Sequence, residues 1–270
     1  MHFTIKNSIE IIDFYENNGY AIIKNFFKKK KIVNLKNNLI KSIKKKKNNF
    51  FYYEEINKKK VLRRIERISD YSPSMHAFIN SSKIINFINK LTKKKNVLFK
   101  DKLNFKYPNG AGYLPHLDGH FYWRDGNNKI QKGWKKYSND FINLVIPLER
   151  ADKKNGCLYI SNKNEIKKIG NSWDVVTSKL IKNTPNIKKN DLKKIKFIPA
   201  ILDIGDILLF DWRCPHYSLK NKSKKSRMIF YATYCKGRSL LIRKNYYYDK
   251  KNSKNDMKYK SLQFNRSVSN

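Results

Sequence analysis

The sequence predicts a mainly β protein of the α+β class, a jelly roll with helices packed outside its sheets. Short apolar runs separated by turn signals begin at Val97 and continue to Tyr234, a spacing typical of jelly rolls. The preceding residues instead carry apolar positions at helical spacing. Neither an internal repeat nor a Pro/Gly linker divides the chain. We therefore expect one domain over residues 1–250, with a helical part at 1–95, a jelly-roll core at 96–250 and a polar tail at 251–270.

The N-terminal part predicts helices joined by short strands. Ser8 is placed to cap the first helix, and Gly19 is placed to end it. The run Tyr20–Phe26 predicts a strand, and Val61–Ser69 predicts another. Phe50–Tyr53 fits either a strand or a buried hinge. Four segments have the apolar stripe of an amphipathic helix: Ser8–Asn18, Lys28–Lys44, His76–Asn80 and Ser82–Thr92.

The core predicts a series of strands interrupted by two long excursions. Gly119–Asp140 is polar and aromatic and is long enough to act as a lid over a site. Asn162–Lys194 is a second polar excursion. Asn155-Gly156 is a hairpin turn signal. The predicted strands are Val97–Tyr107, Tyr113–Asp118, Phe141–Leu148, Cys157–Ser161, Ile195–Leu202, Ile207–Trp212 and Arg227–Tyr234.

The composition restricts the class of protein. The net charge is +39 over 270 residues, but the lysines are spread along the chain beside many Asn and Ile, as an AT-rich coding bias produces. This pattern argues against a dedicated nucleic-acid-binding role, although the positive field favours an anionic ligand. The cysteines (Cys157, Cys214 and Cys235) make no disulfide framework, so we expect a reducing cytoplasm. No signal peptide or membrane-length apolar run is expected.

A His-x-Asp pair and a distant histidine form the strongest functional pattern. His116 and Asp118 are two residues apart, so on a strand their side chains would share one face. His216 follows Pro215, which restricts the preceding residue to extended geometry. Two imidazoles and a carboxylate are the ligands of non-haem Fe(II) oxygenases and leave metal positions open. Arg227 is placed to hold the carboxylate of an oxo-acid co-substrate. The alternatives are a structural metal in a non-catalytic jelly roll and a non-catalytic basic binding protein.

The sequence resembles the phytanoyl-CoA dioxygenase-like family of Fe(II)- and 2-oxoglutarate-dependent oxygenases. The resemblance covers nearly the whole chain, and within the family Leu103–Lys106 and Tyr246–Lys251 look most like the 2-aminoethylphosphonate dioxygenase branch. The matching segments are Phe14–Phe26, His116–Asp118, Asn155–Leu158, Gly205-Asp206, Phe210-Asp211, Pro215–Ser218 and Arg227.

The resemblance implies a double-stranded β-helix, a cupin-like jelly roll, with Fe(II) held by His116, Asp118 and His216. It implies 2-oxoglutarate and O₂ as co-substrates, with Arg227 pairing with the distal carboxylate of 2-oxoglutarate through a guanidinium fork. Ser218 is a candidate for the same carboxylate. Asn104 is a candidate for the co-substrate or the substrate. We expect no catalytic residue beyond the metal ligands.

The expected reaction is hydroxylation of a small polar or anionic metabolite, with release of succinate and CO₂. Asp118 favours hydroxylation over halogenation, because related halogenases carry a small residue there. Our leading substrate is an organophosphonate; an acyl-CoA or carrier-bound acyl group, an amino-acid derivative and a natural-product intermediate are alternatives. Ser161–Glu165 departs from the family pattern near the mouth of the site. Candidate substrate residues are Lys106, His120, Tyr122, Trp123, Arg124, Arg238 and Arg243.

Overall fold

The computed structural model describes residues 2–43, 50–170 and 187–252. Most of the predicted tail 251–270 and part of the predicted excursion 162–194 therefore lie outside the described residues. None of the described helices is long and apolar enough to cross a membrane.

The helices of the N-terminal part lie close to the predicted ones. α1 and α4 have the predicted bounds, and Gly19 ends α1 in the left-handed conformation, with φ of 79°. Ser8 does not cap α1: the N-cap is Asn7, which makes no side-chain capping bond. The helices are α1 (Ser8–Asn18), α2 (Lys29–Ile43), α3 (Pro73–Ile79), α4 (Ser82–Thr92), α5 (Lys189–Leu192) and α6 (Leu241–Asn252).

The strands form an eight-stranded sheet, a four-stranded sheet and a two-stranded hairpin. The large sheet has the order β1-β2-β12-β9-β14-β5-β4-β3, and the small sheet has the order β11-β10-β13-β6. Phe50–Tyr53 is resolved in favour of a strand, since most of it forms β3. The strands are β1 (His2–Thr4), β2 (Tyr20–Lys24), β3 (Phe51–Ile56), β4 (Lys59–Glu66), β5 (Asn96–Lys106), β6 (Tyr113–His116), β7 (Tyr122–Arg124), β8 (Ile130–Lys132), β9 (Phe141–Pro147), β10 (Leu158–Ile160), β11 (Ile198–Ala200), β12 (Ile207–Asp211), β13 (His216–Ser218) and β14 (Arg227–Lys236).

The large sheet has two apolar faces because it is covered on both sides. On β14, Phe230 and Ala232 pack into the core beneath the N-terminal helices. The alternate residues Ile229 and Tyr231 pack into a second core that includes residues of the small sheet. This alternation follows from the twofold period of a strand. The space between the two sheets is therefore the interior of the jelly roll.

The C-terminal helix α6 closes one side of this interior. Its Tyr246 and Tyr247 are buried in an aromatic cluster that includes Phe99 of β5. One turn later, Lys250 forms a short ion pair with Glu66 of β4, and both side chains are almost fully buried. Burial alone would raise the pKa of Glu66, but Lys250 and Arg64 lower it to about 2. The helix is thus attached to the sheet by a buried charge pair.

Replacing Lys250 by methionine should destabilise the protein. Glu66 would lose its nearest cationic partner and keep Arg64 at 3.5 Å, and breaking a buried pair on one side costs about 3 kcal/mol. The measurement is the free energy of unfolding in urea, with Lys251→Met as the matched control because Lys251 is exposed. Equal stability of the two variants would contradict a structural role for the pair.

Candidate metal centre

The two predicted histidine ligands meet through pairing of β6 with β13. In this antiparallel pair His116 lies directly opposite His216, and their ring centres are 4.2 Å apart. The residues are remote in sequence, so the small sheet is what brings them together. The Nδ1 and Nε2 atoms of each ring have different partners, and these partners decide which atom faces a metal.

Asp118 reaches the histidines from a turn rather than from the strand predicted to carry it. β6 ends at His116, and Asp118 and Gly119 form the turn that follows. Gly119 has φ of +71°, and a Cβ there would lie 2.7 Å from the Trp134 ring, so the turn needs glycine. An Asp118 carboxylate oxygen lies 3.9 Å from Nε2 of His116, and the other lies 3.9 Å from Nε2 of His216.

Backbone carbonyls fix the tautomer of both imidazoles. His116 Nδ1 lies 2.6 Å from the Leu114 carbonyl oxygen, and His216 Nδ1 lies 3.0 Å from the Cys214 carbonyl oxygen. A carbonyl only accepts, so Nδ1 carries the proton in each ring and Nε2 presents its lone pair. One ligand atom from each of His116, Asp118 and His216 can be chosen so that all lie within 4.8 Å of one another.

A hydrogen-bond chain orients the Asp118 carboxylate. Asn143 of β9 donates from its amide nitrogen to Asp118 Oδ2 at 2.9 Å. The Asn143 amide oxygen in turn accepts from the Thr233 hydroxyl of β14 at 2.7 Å. All three side chains are buried. Partners of this kind hold metal ligands in place and tune the affinity of the site.

The protonation states suit a divalent cation. Burial lowers the pKa of His116 to about 3, with His216 adding to the effect, and burial also lowers the pKa of His216. Burial would raise the pKa of Asp118, but His216 and Lys102 hold it well below its usual range. Neutral imidazoles and an ionised carboxylate are the forms that bind Fe(II), so the donor set fits the expected metal.

The residues predicted for the co-substrate lie on both walls of the interior: Arg227 and Asn104 on the large sheet, and Ser218 on the small sheet. Arg227 is buried, and its Nε and Nη1 atoms have no hydrogen-bond partner within the described part of the chain. Asn104 of β5 is also buried, with Oδ1 equally unpartnered there. The Ser218 hydroxyl accepts from Lys106 Nζ at 2.9 Å and from the Tyr113 amide at 3.3 Å, which leaves its O–H to donate.

Lys106 has a different place from the one predicted. Its ammonium lies 2.9 Å from Ser218 Oγ, 2.6 Å from the Leu219 carbonyl and 3.2 Å from the Gly156 carbonyl. An ammonium has three donors, so these contacts use all of them. Lys106 also lies directly opposite Arg227 in the antiparallel pairing of β5 with β14. It therefore supports the region around Arg227 and Ser218 and has no donor left for a substrate head group.

The candidates in the loop after Asp118 separate into three environments. His120 is buried, its Nδ1 lies 2.9 Å from the Asp118 carbonyl, and its ring packs on Trp212 at 4.8 Å. Trp123 is buried in the aromatic cluster and donates to the Gly133 carbonyl. Tyr122 is half-buried and Arg124 is exposed. His120 thus contacts the backbone of Asp118, a candidate metal ligand.

Arg238 and Arg243 were predicted to contact the substrate, but the structure places both outside the interior. Arg238 is exposed beyond the end of β14. Arg243 lies on α6 and forms ion pairs of 2.7 Å with both Asp70 and Asp101. Asp101 points to the opposite face of β5 from its neighbours Lys100 and Lys102, so the Arg243 guanidinium is held outside the interior. Its role is to attach α6 to the sheet.

Sequence reasoning missed the other cations of the interior. Lys100 and Lys102 of β5 and Arg63 and Arg64 of β4 all act electrostatically on groups in this space. Tyr113 is one such group: burial would raise its pKa, but the two arginines lower it to about 8. The available signal was the alternation of Lys100, Lys102, Asn104 and Lys106, since polar residues at every second position share one face of a strand.

Replacing Asn143 by alanine should weaken metal binding without abolishing it. The Asp118 carboxylate would lose the donor that orients it, and such changes cost about 10–100-fold in affinity. The measurement is anaerobic titration with Fe(II) or Mn(II), and Asp118→Ala is the reference for loss of a ligand. Unchanged affinity in Asn143→Ala would show that the hydrogen-bond chain does not position the carboxylate.

The metal-free protein should lose stability as the pH falls below about 6.5. His116 stays neutral in the folded state down to about pH 3, whereas it binds a proton in the unfolded state below about 6.5. Between pH 7 and 4.5 this one group removes about 2.5 kcal/mol from the free energy of unfolding. Urea unfolding with a chelator present measures the loss, and His116→Gln should reduce it. The same loss in that variant would contradict the assignment.

Comparison with known proteins agrees with this geometry. The family model for phytanoyl-CoA dioxygenase (PhyH) matches residues 15–229. The chain is 29% identical over 195 residues to a 2-aminoethylphosphonate dioxygenase from uncultured bacterium HF130_AEPn_1, covering 72% of this chain. It is 27% identical over 190 residues to a methylphosphonate hydroxylase of Gimesia maris, covering 70% of this chain. The aligned parts span 66% and 65% of those relatives, just under two thirds of their length.

The fold also matches solved structures. The epimerase SnoN, in complex with Fe3+, alpha ketoglutarate and nogalamycin RO, superposes with a TM-score of 0.64 at 13% identity, covering 85% of this chain and 84% of that one. The structural match confirms the predicted double-stranded β-helix, and the family match confirms the predicted resemblance. The chain, from the helical segment α1 to the strand that carries Arg227, belongs to the phytanoyl-CoA dioxygenase (PhyH) family.

Proposed function

We propose that this enzyme hydroxylates a small anionic metabolite, with an organophosphonate as the leading substrate, and converts 2-oxoglutarate to succinate and CO₂. The observation that carries the proposal is the pairing of a three-ligand metal site with a buried arginine whose Nε and Nη1 lack a partner in the described structure. The metal site alone would fit a structural ion. The arginine adds a place for a carboxylate in the same interior.

His116, Asp118 and His216 would hold the Fe(II). Bound there, the iron supplies the oxidising chemistry, in which O₂ and 2-oxoglutarate are consumed together. The chain itself fixes the two tautomers through Leu114 and Cys214. A structural metal would have a closed set of protein ligands, but only three candidate ligands cluster among the described residues. Open positions are what an oxygenase requires.

Arg227 and Ser218 would bind the distal carboxylate of 2-oxoglutarate. The guanidinium offers two donors in a plane that matches a carboxylate, and the Ser218 O–H adds a third. Both lie beside Lys106, which donates to the Ser218 hydroxyl and so orders it. Burial makes these bonds stronger than they would be in water. Asn104, on the strand paired with β14, is placed to contact either the co-substrate or the substrate.

Two arguments support a phosphonate over the alternatives. Two relatives, matched over most of this chain, are a phosphonate dioxygenase and a phosphonate hydroxylase. The interior also contains more cations than the co-substrate requires, since Lys100 and Lys102 lie there in addition to Arg227. The acyl group of a thioester is neutral, so its oxidation gives no reason for cations in the interior.

The setting in the cell and the domain organisation are part of the same proposal. All three cysteines are buried and unpaired, which fits a reducing compartment such as the cytoplasm. The two sheets and the helices pack through shared cores, which fits one domain.

Anaerobic addition of Fe(II) and 2-oxoglutarate should give a weak visible charge-transfer band. His116→Ala should abolish the band, because iron loses a ligand. Arg227→Met should raise the concentration of 2-oxoglutarate needed for it by about 100-fold, since a buried charge-assisted pair contributes about 3 kcal/mol. Arg227→Lys should fall between, and the exposed Arg238→Met should match the wild type. Absence of a band in the wild-type protein would refute the proposed function.

A further inference from the structure

Two lysines of β5 point into the interior without a direct contact to an anion in the described part of the chain. Lys100 and Lys102 are two residues apart on a regular stretch of the strand, opposite Thr233 and Tyr231 of β14, so they share one face. Leu103, with the opposite orientation to Lys102, packs into the core beneath the helices. The two ammonium groups therefore lie on the side of the sheet that faces the small sheet and the metal ligands.

Among residues 2–43, 50–170 and 187–252, neither Lys100 Nζ nor Lys102 Nζ forms a hydrogen bond or a direct ion pair, and the carboxylates of Asp118 and Glu66 act on both only through space. Lys100 is 9% exposed, and its contacts there are aromatic, with Nζ 4.0 Å from the Trp134 ring centre and 6.0 Å from that of Tyr246. Lys102 Nζ lies 5.0 Å from the Tyr231 ring centre. Burying a cation without a counter-ion costs free energy, so a fold that keeps two of them side by side leaves room for an anion.

Lys100 and Lys102 interact with groups near the candidate metal ligands and with groups near Arg227. Both act on Asp118 through space. Lys100 lies against Trp134, whose ring also packs on Gly119 next to Asp118. Lys102 lies against Tyr231, which interacts electrostatically with Arg227. A molecule bound at the metal would thus have the two ammonium groups within the same enclosed space.

The other interior cations already have partners. Arg63 forms an ion pair with Glu54 and donates to the Gly112 carbonyl at 2.7 Å, and Arg64 pairs with Glu66. Lys106 has three acceptors. If Arg227 holds the distal carboxylate of 2-oxoglutarate, Lys100 and Lys102 are the cations that remain. Their charge exceeds what one carboxylate neutralises.

We propose that Lys100 and Lys102 together bind the anionic head of the prime substrate, and that this head is a doubly charged phosphorus oxyanion such as a phosphonate. The inference rests on the proposed function, which places the substrate beside the metal. Two ammonium groups offer six donors, and the three oxygens of a phosphonate can accept from both lysines at once.

The test is calorimetric titration of methylphosphonate into the anaerobic protein with Fe(II) and 2-oxoglutarate. Lys100→Met and Lys102→Met should each weaken binding by about 30–100-fold, because each removes a charge-assisted contact. Lys236→Met, an exposed lysine at the end of β14, is the matched control and should bind as the wild type. Inorganic phosphate should compete with methylphosphonate, whereas the singly charged methanesulfonate should compete much less.

The charge-transfer band separates substrate binding from co-substrate binding. It should form in both variants with about the same dependence on 2-oxoglutarate as in the wild type. If the variants instead lose affinity for 2-oxoglutarate and keep their affinity for methylphosphonate, the lysines belong to the co-substrate and the inference is wrong. Methylphosphonate binding that survives both substitutions, or that is absent in a wild-type protein with a normal band, also overturns it. A wild-type protein that binds methylphosphonate through the lysines but gives no band would refute only the proposed function.

Thermal stability provides a second readout that a structural role would not give. Removing a buried ammonium that makes no direct ion pair in the described structure relieves a burial cost, so both methionine variants should melt at or above the wild-type temperature without ligand. Methylphosphonate should raise the melting temperature of the wild type more than that of either variant. A large drop in melting temperature in both variants would assign the lysines a structural role and overturn the inference.

Discussion

The antiparallel pairing of β6 with β13 is the constraint on which the site depends. It sets His116 opposite His216, and the turn at the end of β6 then has only two residues in which to present Asp118. The imidazoles donate to the carbonyls of Leu114, within β6, and of Cys214, just before β13. The backbone that forms the small sheet therefore also selects the protonated nitrogen of each ring. The same strand pair therefore sets the register of the two histidines, the tautomer of each imidazole and the geometry of the candidate ligands.

The large sheet contributes a different kind of constraint. Its interior face carries the chain from Thr233 through Asn143 to Asp118, so the orientation of a ligand from the small sheet is controlled from the opposite wall. A change in how the two sheets pack would move the carboxylate relative to the imidazoles. The site thus depends on sheet-on-sheet packing, which the apolar residues between the sheets maintain.

The clustering of His116, Asp118 and His216 could be predicted from the sequence because few residue types bind iron and their spacing is distinctive. Asp118 was expected on the strand, but it lies in the turn that follows it. The cations of the interior could not be singled out in the same way: Lys and Arg number 60 in the chain, so no single lysine stands out. Only pairing, burial and the absence of acceptors distinguish Lys100 and Lys102 from Lys106. The acidic partners that remove Arg243 from the site, Asp70 and Asp101, are likewise contacts between distant segments.

The position of α6 has a consequence for how the interior is enclosed. The segments up to β14 contain all three candidate metal ligands together with Arg227. α6 adds none of them, but its Tyr246 contacts Phe99 beside Lys100 and its Lys250 pairs with Glu66. A substitution in α6 can therefore reshape the wall of the interior and leave the candidate metal ligands unchanged.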